Sequence, residues 1–365
     1  MTPHICKWRC LVAHDPEVIP VRREEQLDCA RLEPYLRANL DGADGPFSLA
    51  QFAGGHANLT YLLTFGTREF VLRRPPLGPI AARSHDMQRE YRVLSRLYAA
   101  FDLAPRAFAL CTDASIIGSD FVVEERKHGI AIRRELPASV AKDPIMTRRL
   151  GEMMIDTLAA LHRVRYADLT LSDLGKPDGY VLRQLTSWSQ RWKDSATDES
   201  ADASDVIARL ERSLPSSQTS TIIHNDFKLD NMLVRADDPA AASALLDWDM
   251  CTLGDPLMDL GYLLALWVQA DDPPNARVGA MPTWHPGFLT RREATQRYAQ
   301  ATGFDVSAIS WYYVFNIFRF AGILQQIYKR YANGQTHDER FASFGKQANA
   351  LIRTATLLAA TPSRG

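Results

Sequence analysis

The chain has 365 residues, enough for two or three compact domains or for one enzyme with two lobes. Its 46% hydrophobic and 23% charged residues are typical of a globular protein and exclude a disordered or collagen-like chain. The 42 Lys and Arg residues nearly balance 43 Asp and Glu, for a formal net charge of −1. Because no net field favours nucleic acid or an acidic membrane, we expect a small molecule as the partner.

The five cysteines are an odd number without C-x-x-C spacing, which fits a reduced chain better than a disulfide framework. Residues 1–21 lack the apolar stretch of a signal peptide. The longest apolar run, Leu260–Val268, is too short to cross a membrane. These features predict a cytoplasmic protein that does not bind membranes.

In chain order, residues 1–24 are predicted to be a flexible arm, and a helical pattern follows over Glu25–Leu40. The period then changes to that of an antiparallel strand meander. Its predicted strands are Phe47–Phe52, Leu59–Phe65 and Glu69–Arg73. A helix capped by Ser84 and a strand at Asp120–Glu125 complete a predicted α+β lobe of residues 25–128.

Residues 129–365 are predicted to form a larger, mainly helical lobe. The predicted helices are Met146–His162, Tyr180–Lys193, Val206–Leu214, Leu257–Gln269, Thr290–Thr302, Ser307–Tyr331 and Glu339–Ala359. Trp188 and Trp192 share the apolar face of one of them and are predicted core residues. The whole pattern predicts an α+β fold with two lobes.

The most informative motif is H-x-D-x-x-x-x-N, formed by His224, Asp226 and Asn231. Such a loop can aim a carboxylate at a substrate hydroxyl and an amide oxygen at a hard cation. A predicted hairpin of residues 231–235 and 243–247 would bring Asn231 beside Asp247. Because Mg²⁺ binds few protein oxygens and fills its shell with phosphates and water, these two residues are candidate Mg²⁺ ligands.

A carboxylate aimed at a hydroxyl beside a Mg²⁺ site suits phosphoryl transfer. This reaction also needs a cation on the phosphates, and the first lobe offers one. Glu90 lies in the apolar stripe of its helix, where a carboxylate requires a positive partner. Arg73 is the preferred partner and Arg74 the alternative. The turn with Gly54 and Gly55, followed by Asn58, would let the backbone approach phosphate oxygens.

Each of these signals has a simpler explanation, because the motif can occur by chance and two glycines often mark only a turn. Their order along the chain favours a kinase-like enzyme. Two rivals remain: a non-catalytic nucleotide-binding protein and a metal-dependent hydrolase with His224 and Asp226 as ligands. All three of Asp226, Asn231 and Asp247 are present, which speaks against the first, and no further ligands with suitable spacing support the second.

The sequence resembles the aminoglycoside phosphotransferase and choline kinase superfamily, most closely a branch found as a kinase-like domain fused to acyl-CoA dehydrogenases. The similarity runs from Leu27 to Leu357. The matching segments are Phe70–Pro76 with Gly78, Arg89–Leu94, Leu161–His162, His224–Asn231, Leu246–Asp249, Gly254–Leu260 and Phe318–Ile323. The resemblance implies a protein-kinase-like fold with two lobes.

The resemblance also implies roles for individual residues. Asp226 would be the catalytic base, and Asn231 and Asp247 would hold Mg²⁺. Arg73 would bind the phosphates of ATP, with Glu90 orienting it. The backbone of the hinge, including Val123 and Glu125, would bind adenine.

Two residues depart from the usual pattern of the superfamily. Asn225 replaces the common Gly between His and Asp, and Asn is among the few residues that readily adopt a positive φ. Arg73 stands where many relatives have Lys, and its guanidinium can bind a phosphate through two N–H groups at once. Asp249 is expected either to support a metal ligand or to make an outer metal contact, whereas Asp255 and Asp259 are expected to brace loops.

The predicted activity is transfer of a phosphoryl group to a hydroxyl of a small molecule. The fused relatives suggest a hydroxyacyl-CoA or a hydroxy acid as acceptor. An aminoglycoside or choline type of kinase is the alternative.

Overall fold

A computed structural model describes residues 17–54, 58–78, 85–217, 219–272 and 281–360. The chain divides into two compact units. The first unit comprises Met1–Gly129 together with Ser243–Cys251, and the second comprises Ile130–Ala242 and Thr252–Gly365. The division after Gly129 lies one residue beyond the predicted boundary, whereas the return of Ser243–Cys251 to the first unit was not predicted.

The first unit is built on a six-stranded antiparallel sheet with the order β1-β2-β3-β4-β6-β5. Its strands are β1 (Val18–Ile19), β2 (Phe47–Phe52), β3 (Leu59–Phe65), β4 (Arg68–Arg74), β5 (Ala107–Cys111) and β6 (Phe121–Glu125). Alternation along β4 places Phe70 and Leu72 in the core and Arg73 on the opposite face. The predicted meander is therefore confirmed, while β5 was missed.

The helices among the described residues of the first unit are α1 (Cys29–Asn39), α2 (Met87–Leu97) and α3 (Ala114–Ile117). The cap of α2 is Asp86, whose carboxylate accepts the N–H of Arg89 at 3.0 Å. The predicted cap, Ser84, lies outside the described residues. Glu90 belongs to the buried face of α2, as its position in the apolar stripe predicts.

Residues 17–25 correct the predicted arm of residues 1–24. Val18 and Ile19 pair with Phe52 and Gln51 of β2, and Arg23–Glu25 form a 3-10 turn. The backbone N–H of Arg22 also donates to the Gln51 side chain at 3.0 Å. Residues 17–24 therefore belong to the folded unit, because they extend the edge of the sheet, and residues 1–16 of the predicted arm lie outside the described residues.

The segment Ser243–Cys251 is attached to the first unit by several contacts. The N–H of Leu245 donates to the Leu103 carbonyl at 2.8 Å, and Arg89 donates to the Cys251 carbonyl at 2.6 Å. Trp248 is fully buried, with its ring edge-on to Phe101. This segment completes the first unit although it lies far away in sequence.

The second unit is mainly helical, as predicted. Its helices are α4 (Ala138–Ala141), α5 (Pro144–His162), α6 (Tyr180–Ser195), α7 (Ser204–Arg212), α8 (Leu257–Leu266), α9 (Arg291–Thr302), α10 (Ile309–Ala332) and α11 (Phe344–Ala360). The short strands of this unit are β7 (Ile130–Ala131), β8 (Thr221–Ile223), β9 (Met232–Val234) and β11 (Thr252–Gly254). Strand β10 (Ala242–Leu245) spans the boundary between the two units. The predicted last helix begins instead as a 3-10 turn, Glu339–Ser343.

Helix α10 is central to the second unit and packs against α6, α8 and α11. Its contact with α8 is close at Gly261, where a Cβ atom would lie 2.7 Å from Tyr312 Cβ. Trp188 and Trp192 of α6 are buried, which confirms their prediction as core residues. The tight packing fixes α8, whose first turns carry side chains of the candidate site.

None of the helices in the described part of the chain has a segment long and apolar enough to cross a membrane.

Candidate active site

The first unit contains a buried group of charges around Arg73 of β4. Its Nε lies 2.9 Å from Glu90 Oε1 and 3.4 Å from Glu124 Oε1, and its Nη2 lies 2.9 Å from Asp247 Oδ1. The predicted Arg73–Glu90 pair is thus confirmed. The alternative, Arg74, donates instead to the Ile117 carbonyl at 3.0 Å. One guanidinium therefore faces three carboxyl groups.

Burial raises the pKa of Glu90 to about 8 and that of Glu124 to about 7, although Arg73 opposes both shifts. Because the ordinary pKa is 4.5, the folded chain binds these protons more tightly than the unfolded chain. Glu90 and Glu124 make their full contribution to the free energy of unfolding below pH 4.5, and this contribution is lost as the pH rises through 7 and 8. We therefore expect the free energy of unfolding of the nucleotide-free protein to fall over this range.

Urea unfolding of the wild type and of Glu124→Gln between pH 5 and pH 8 measures this effect. The variant should lose less stability over the range, because Gln cannot titrate. Groups far from Arg73 titrate equally in both proteins and cancel in the comparison, whereas the loss of the Glu124 charge also lowers the pKa of Glu90 and acts in the same direction. Equal slopes would contradict the assignment of a raised pKa to Glu124.

Asn58 immediately precedes β3 and is buried. Its Oδ1 is 2.7 Å from Nδ1 of His85, and its Nδ2 is buried without a hydrogen-bond partner among the described residues. Gly54 follows β2, while Gly55 lies outside the described residues. Phosphate binding by these three residues remains a prediction.

The residues of the predicted adenine hinge already form contacts within the sheet through strand pairing and a backbone hydrogen bond. Val123 is fully buried and pairs with Leu72 on one side and with Ala109 on the other. The Glu125 N–H donates to the Arg106 carbonyl at 2.8 Å. Because this N–H is occupied, an adenine contact at Glu125 would have to use another of its groups.

The loop that carries the H-x-D-x-x-x-x-N motif, residues 224–231, is named the catalytic loop after its predicted role. It lies in the second unit and is anchored by Asp259 of α8. The two carboxylate oxygens of Asp259 accept the N–H groups of His224 at 2.6 Å and of Asn225 at 2.7 Å. Oδ2 also contacts Nε2 of the buried His162 at 3.2 Å. Burial alone would raise the pKa of Asp259, but hydrogen bonds from His162 and from the His224 backbone lower it. The bracing role predicted for Asp259 is confirmed, and His162 supports Asp259 from the core.

Asn225 has φ of 66°, in the left-handed region, as its replacement of glycine predicted. Its Oδ1 accepts a hydrogen bond from the Tyr180 hydroxyl at 3.0 Å. We expect Asn225→Ala to be less stable than Asn225→Gly by about 1 kcal/mol, because both lose this bond but only Ala is strained at positive φ. Urea unfolding of the two variants checks this, and an Ala variant as stable as the Gly variant would show that the turn relaxes.

The Asp226 carboxylate is held by three donors. Tyr262 Oη donates to Oδ1 at 2.7 Å, while Asn231 Nδ2 and Lys228 Nζ each donate to Oδ2 at 2.8 Å. Asn231 Nδ2 also donates to the Asp226 carbonyl at 2.9 Å. The predicted base and the predicted amide ligand are therefore in direct contact, and the carboxylate has a fixed orientation.

Asn231 and Asp247, the predicted Mg²⁺ ligands, belong to different units. The Asn231 amide nitrogen is directed at Asp226, which leaves its oxygen for a cation. Asp247 adopts a positive φ of 69°, and its side chain is 31% exposed. These oxygens are hard donors of the kind that Mg²⁺ prefers.

The sequence model of the phosphotransferase enzyme family matches residues 48–298, which is more than half of the chain. The chain belongs to this family. The predicted resemblance to aminoglycoside phosphotransferases and choline kinases is thus confirmed.

Solved structures of phosphotransferases share the fold. A candidate aminoglycoside phosphotransferase of Ralstonia eutropha has a TM-score of 0.79 and 29% identity, covering 92% of this chain and 98% of its own. A choline kinase of Cryptosporidium parvum has a TM-score of 0.59 at 13% identity, covering 90% and 98%. At this low identity the second match shows the fold alone, and it confirms the predicted kinase-like α+β class.

Curated relatives of this chain carry other names. Mouse acyl-CoA dehydrogenase family member 10 is 30% identical over 93% of the chain, and human family member 11 is 28% identical over 93%. These matches cover only 32% and 43% of the respective relatives, so the chain spans less than half of their length.

Sequence reasoning missed three side chains of the site: Glu124, Lys228 and Tyr262. The sequence does indicate Glu124, because it is a charged residue that follows the apolar run of β6. Lys228 lies inside the recognised motif. Tyr262 had no signal, because its aromatic ring suits the apolar helix that carries it.

Among residues 17–54, 58–78, 85–217, 219–272 and 281–360, no group of three or more His, Cys, Asp and Glu side chains is arranged to hold a metal. His224 is fully buried, with its Nδ1 3.3 Å from the backbone nitrogen of Asp226. This geometry gives the rival metal-dependent hydrolase no support.

Proposed function

We propose that the protein is an ATP- and Mg²⁺-dependent phosphotransferase that moves the γ-phosphoryl group to a hydroxyl of a small molecule. The observation that carries this proposal is the Asp226 carboxylate, held by Asn231, Lys228 and Tyr262 on a loop anchored at Asp259. A fixed carboxylate suits phosphoryl transfer, in which positioning contributes more than covalent chemistry.

Asp226 acts as the base in this proposal. The hydroxyl proton of the acceptor passes to Asp226, and the acceptor oxygen forms a bond to the γ-phosphorus. The bond between that phosphorus and the β–γ bridging oxygen breaks, and ADP leaves with its electron pair. Asn231 and Asp247 are the proposed Mg²⁺ ligands, and the ion that they would hold would supply positive charge to neutralise the phosphate oxygens.

Arg73 is the proposed phosphate contact of the first unit. Its guanidinium is held by Glu90 and Asp247, each at 2.9 Å, so that it is oriented before the nucleotide binds. Gly54, Gly55 and Asn58 are proposed to line the phosphates. Val123 and Glu125 are proposed to border the adenine.

Thermal unfolding with ATP alone, Mg²⁺ alone and both together tests the proposed cofactors. The largest rise in melting temperature should occur with both, because only the native state binds the Mg²⁺–nucleotide complex. Asp247→Asn should remove most of the Mg²⁺-dependent part of the rise. Substitution of the exposed Asp41 of the same unit, Asp41→Asn, is the matched control. Equal responses of the two variants would count against Asp247 as a ligand.

We propose an anionic acceptor, such as a hydroxyacyl-CoA or a hydroxy acid. Partial desolvation raises the pKa of Asp230 in the catalytic loop, and the positive charges of Lys228, Arg133 and Arg134 oppose this rise. Three cations near the loop favour a negatively charged acceptor over a polycationic aminoglycoside. The names of the acyl-CoA dehydrogenase relatives support the same choice.

A panel of hydroxyacyl-CoAs, free hydroxy acids, choline and aminoglycosides, assayed for ADP release with Mg²⁺ and ATP, tests the acceptor class. We expect acceleration only with the anionic members. Acceleration by an aminoglycoside alone would overturn this assignment but not the phosphotransferase activity.

A cytoplasmic location is also proposed, supported by buried Cys29, Cys111 and Cys251, which form no disulfide among the described residues.

A further inference from the structure

Tyr262 is the one side chain in the described part of the chain that donates to Oδ1 of Asp226, at 2.7 Å. It lies on α8, three residues after Asp259, so both side chains lie on the same face of the helix. Asp259 holds the main chain of the catalytic loop, and Tyr262 holds its carboxylate. A single helix therefore fixes both parts of the loop.

The ring of Tyr262 is itself restrained by Arg319 of α10. The guanidinium carbon lies 5.0 Å from the Tyr262 ring centre and 5.5 Å from that of Trp188. Arg319 also donates to the Asn225 carbonyl at 3.0 Å. Tyr262 and Arg319 are both about 5% exposed, so neither has room to turn away from the loop.

The hydrogen bonds of Asp226 distinguish its two oxygens. A carboxylate offers about four acceptor positions, two on each oxygen. Asn231 and Lys228 occupy both positions on Oδ2, whereas Tyr262 occupies one on Oδ1. Among the described residues, the acceptor position without a donor is therefore on Oδ1, the oxygen that Tyr262 contacts.

We propose that Tyr262 is a positioning residue for phosphoryl transfer, which fixes Oδ1 of Asp226 as the atom that accepts the proton of the acceptor hydroxyl. The inference rests on the proposed function and adds to it the identity of the reacting oxygen. Tyr262 does not take part in proton transfer, because it already donates its own proton to Oδ1. Its loss would let the carboxylate rotate and would misdirect the lone pair.

Tyr262→Phe tests this role, with hydrolysis of Mg²⁺–ATP as the probe reaction, in which water replaces the acceptor. We expect kcat to fall at least tenfold while KM for ATP changes less than twofold. The matched control is Tyr312→Phe, which removes another buried tyrosine hydroxyl bound to an aspartate, Asp255 Oδ2 at 2.8 Å. Both variants should show similar decreases in melting temperature, but Tyr312→Phe should keep kcat within twofold of the wild type.

Rescue provides a second measurement should the Phe variant fold poorly. Placing 4-aminophenylalanine at position 262 retains a donor at the same point of the ring and should restore at least half of the lost kcat. An unchanged kcat in Tyr262→Phe, an equal loss in both Phe variants, or no rescue would overturn the positioning role while the wild type remains active. Absence of ADP release by the wild type with every acceptor tested would overturn the proposed function itself, and the inference with it.

Discussion

Asp226→Asn is expected to lower the rate of phosphoryl transfer by about 10²–10⁴, the usual contribution of a general base. The amide has the size of the carboxylate, so the loop should keep its shape, but it cannot accept the acceptor proton. The stabilisation by Mg²⁺–ATP should remain close to that of the wild type, because Asp226 is not a proposed metal ligand. Initial rates of ADP release and thermal unfolding with Mg²⁺–ATP measure the two quantities.

The control for this variant is Asp230→Asn, which changes the other aspartate of the same loop. It removes the same charge four residues further along and should retain most of the activity. A full rate in Asp226→Asn would show that the base lies elsewhere. A rate lost together with Mg²⁺–ATP binding would indicate that Asp226 acts on the nucleotide complex.

Arg73→Met is expected to reduce the free energy of unfolding by about 3–5 kcal/mol at pH 8, the usual cost of removing one partner from a buried ion pair. Glu90 and Glu124 would then be buried without their cation. The loss should be smaller at pH 5, because both carboxyl groups can then bind protons. Urea unfolding at the two pH values measures the difference, and thermal unfolding with Mg²⁺–ATP should show little nucleotide stabilisation.

The triple variant Arg73→Met, Glu90→Gln, Glu124→Gln separates stability from binding. Removing both buried charges should restore most of the stability without restoring nucleotide binding. Arg73→Met with wild-type stability at pH 8 would contradict the charge arrangement. A triple variant that binds Mg²⁺–ATP as well as the wild type would remove Arg73 from the nucleotide site.

Much of the fold and part of the site could be predicted because local patterns determine them. The alternation of β4 placed Phe70 and Leu72 in the core, and the stripe of α2 identified Glu90 as a buried acid that needs Arg73. The positive φ of Asn225 followed from its residue type at a position where glycine is common. In each case the residues within one element carried the information.

Contacts between distant parts of the chain could not be predicted. Tyr262 contacts Asp226 only because Asp259 brings α8 to the catalytic loop, and no local pattern reports this. Glu124 meets Arg73 through strand pairing of Val71 with Glu124, which depends on the order of the sheet. The edge strand β1 was missed because two residues are too few for a period.

The return of Ser243–Cys251 to the first unit has a consequence for protein synthesis. An N-terminal fragment that ends at Gly129 would lack Trp248 against Phe101 and the carbonyl that Arg89 binds. It would also lack Asp247, one of the anions around Arg73. On the ribosome, the first unit therefore cannot finish folding until residue 251 has left the exit tunnel, and truncated fragments of this unit should be poor substitutes for the whole chain.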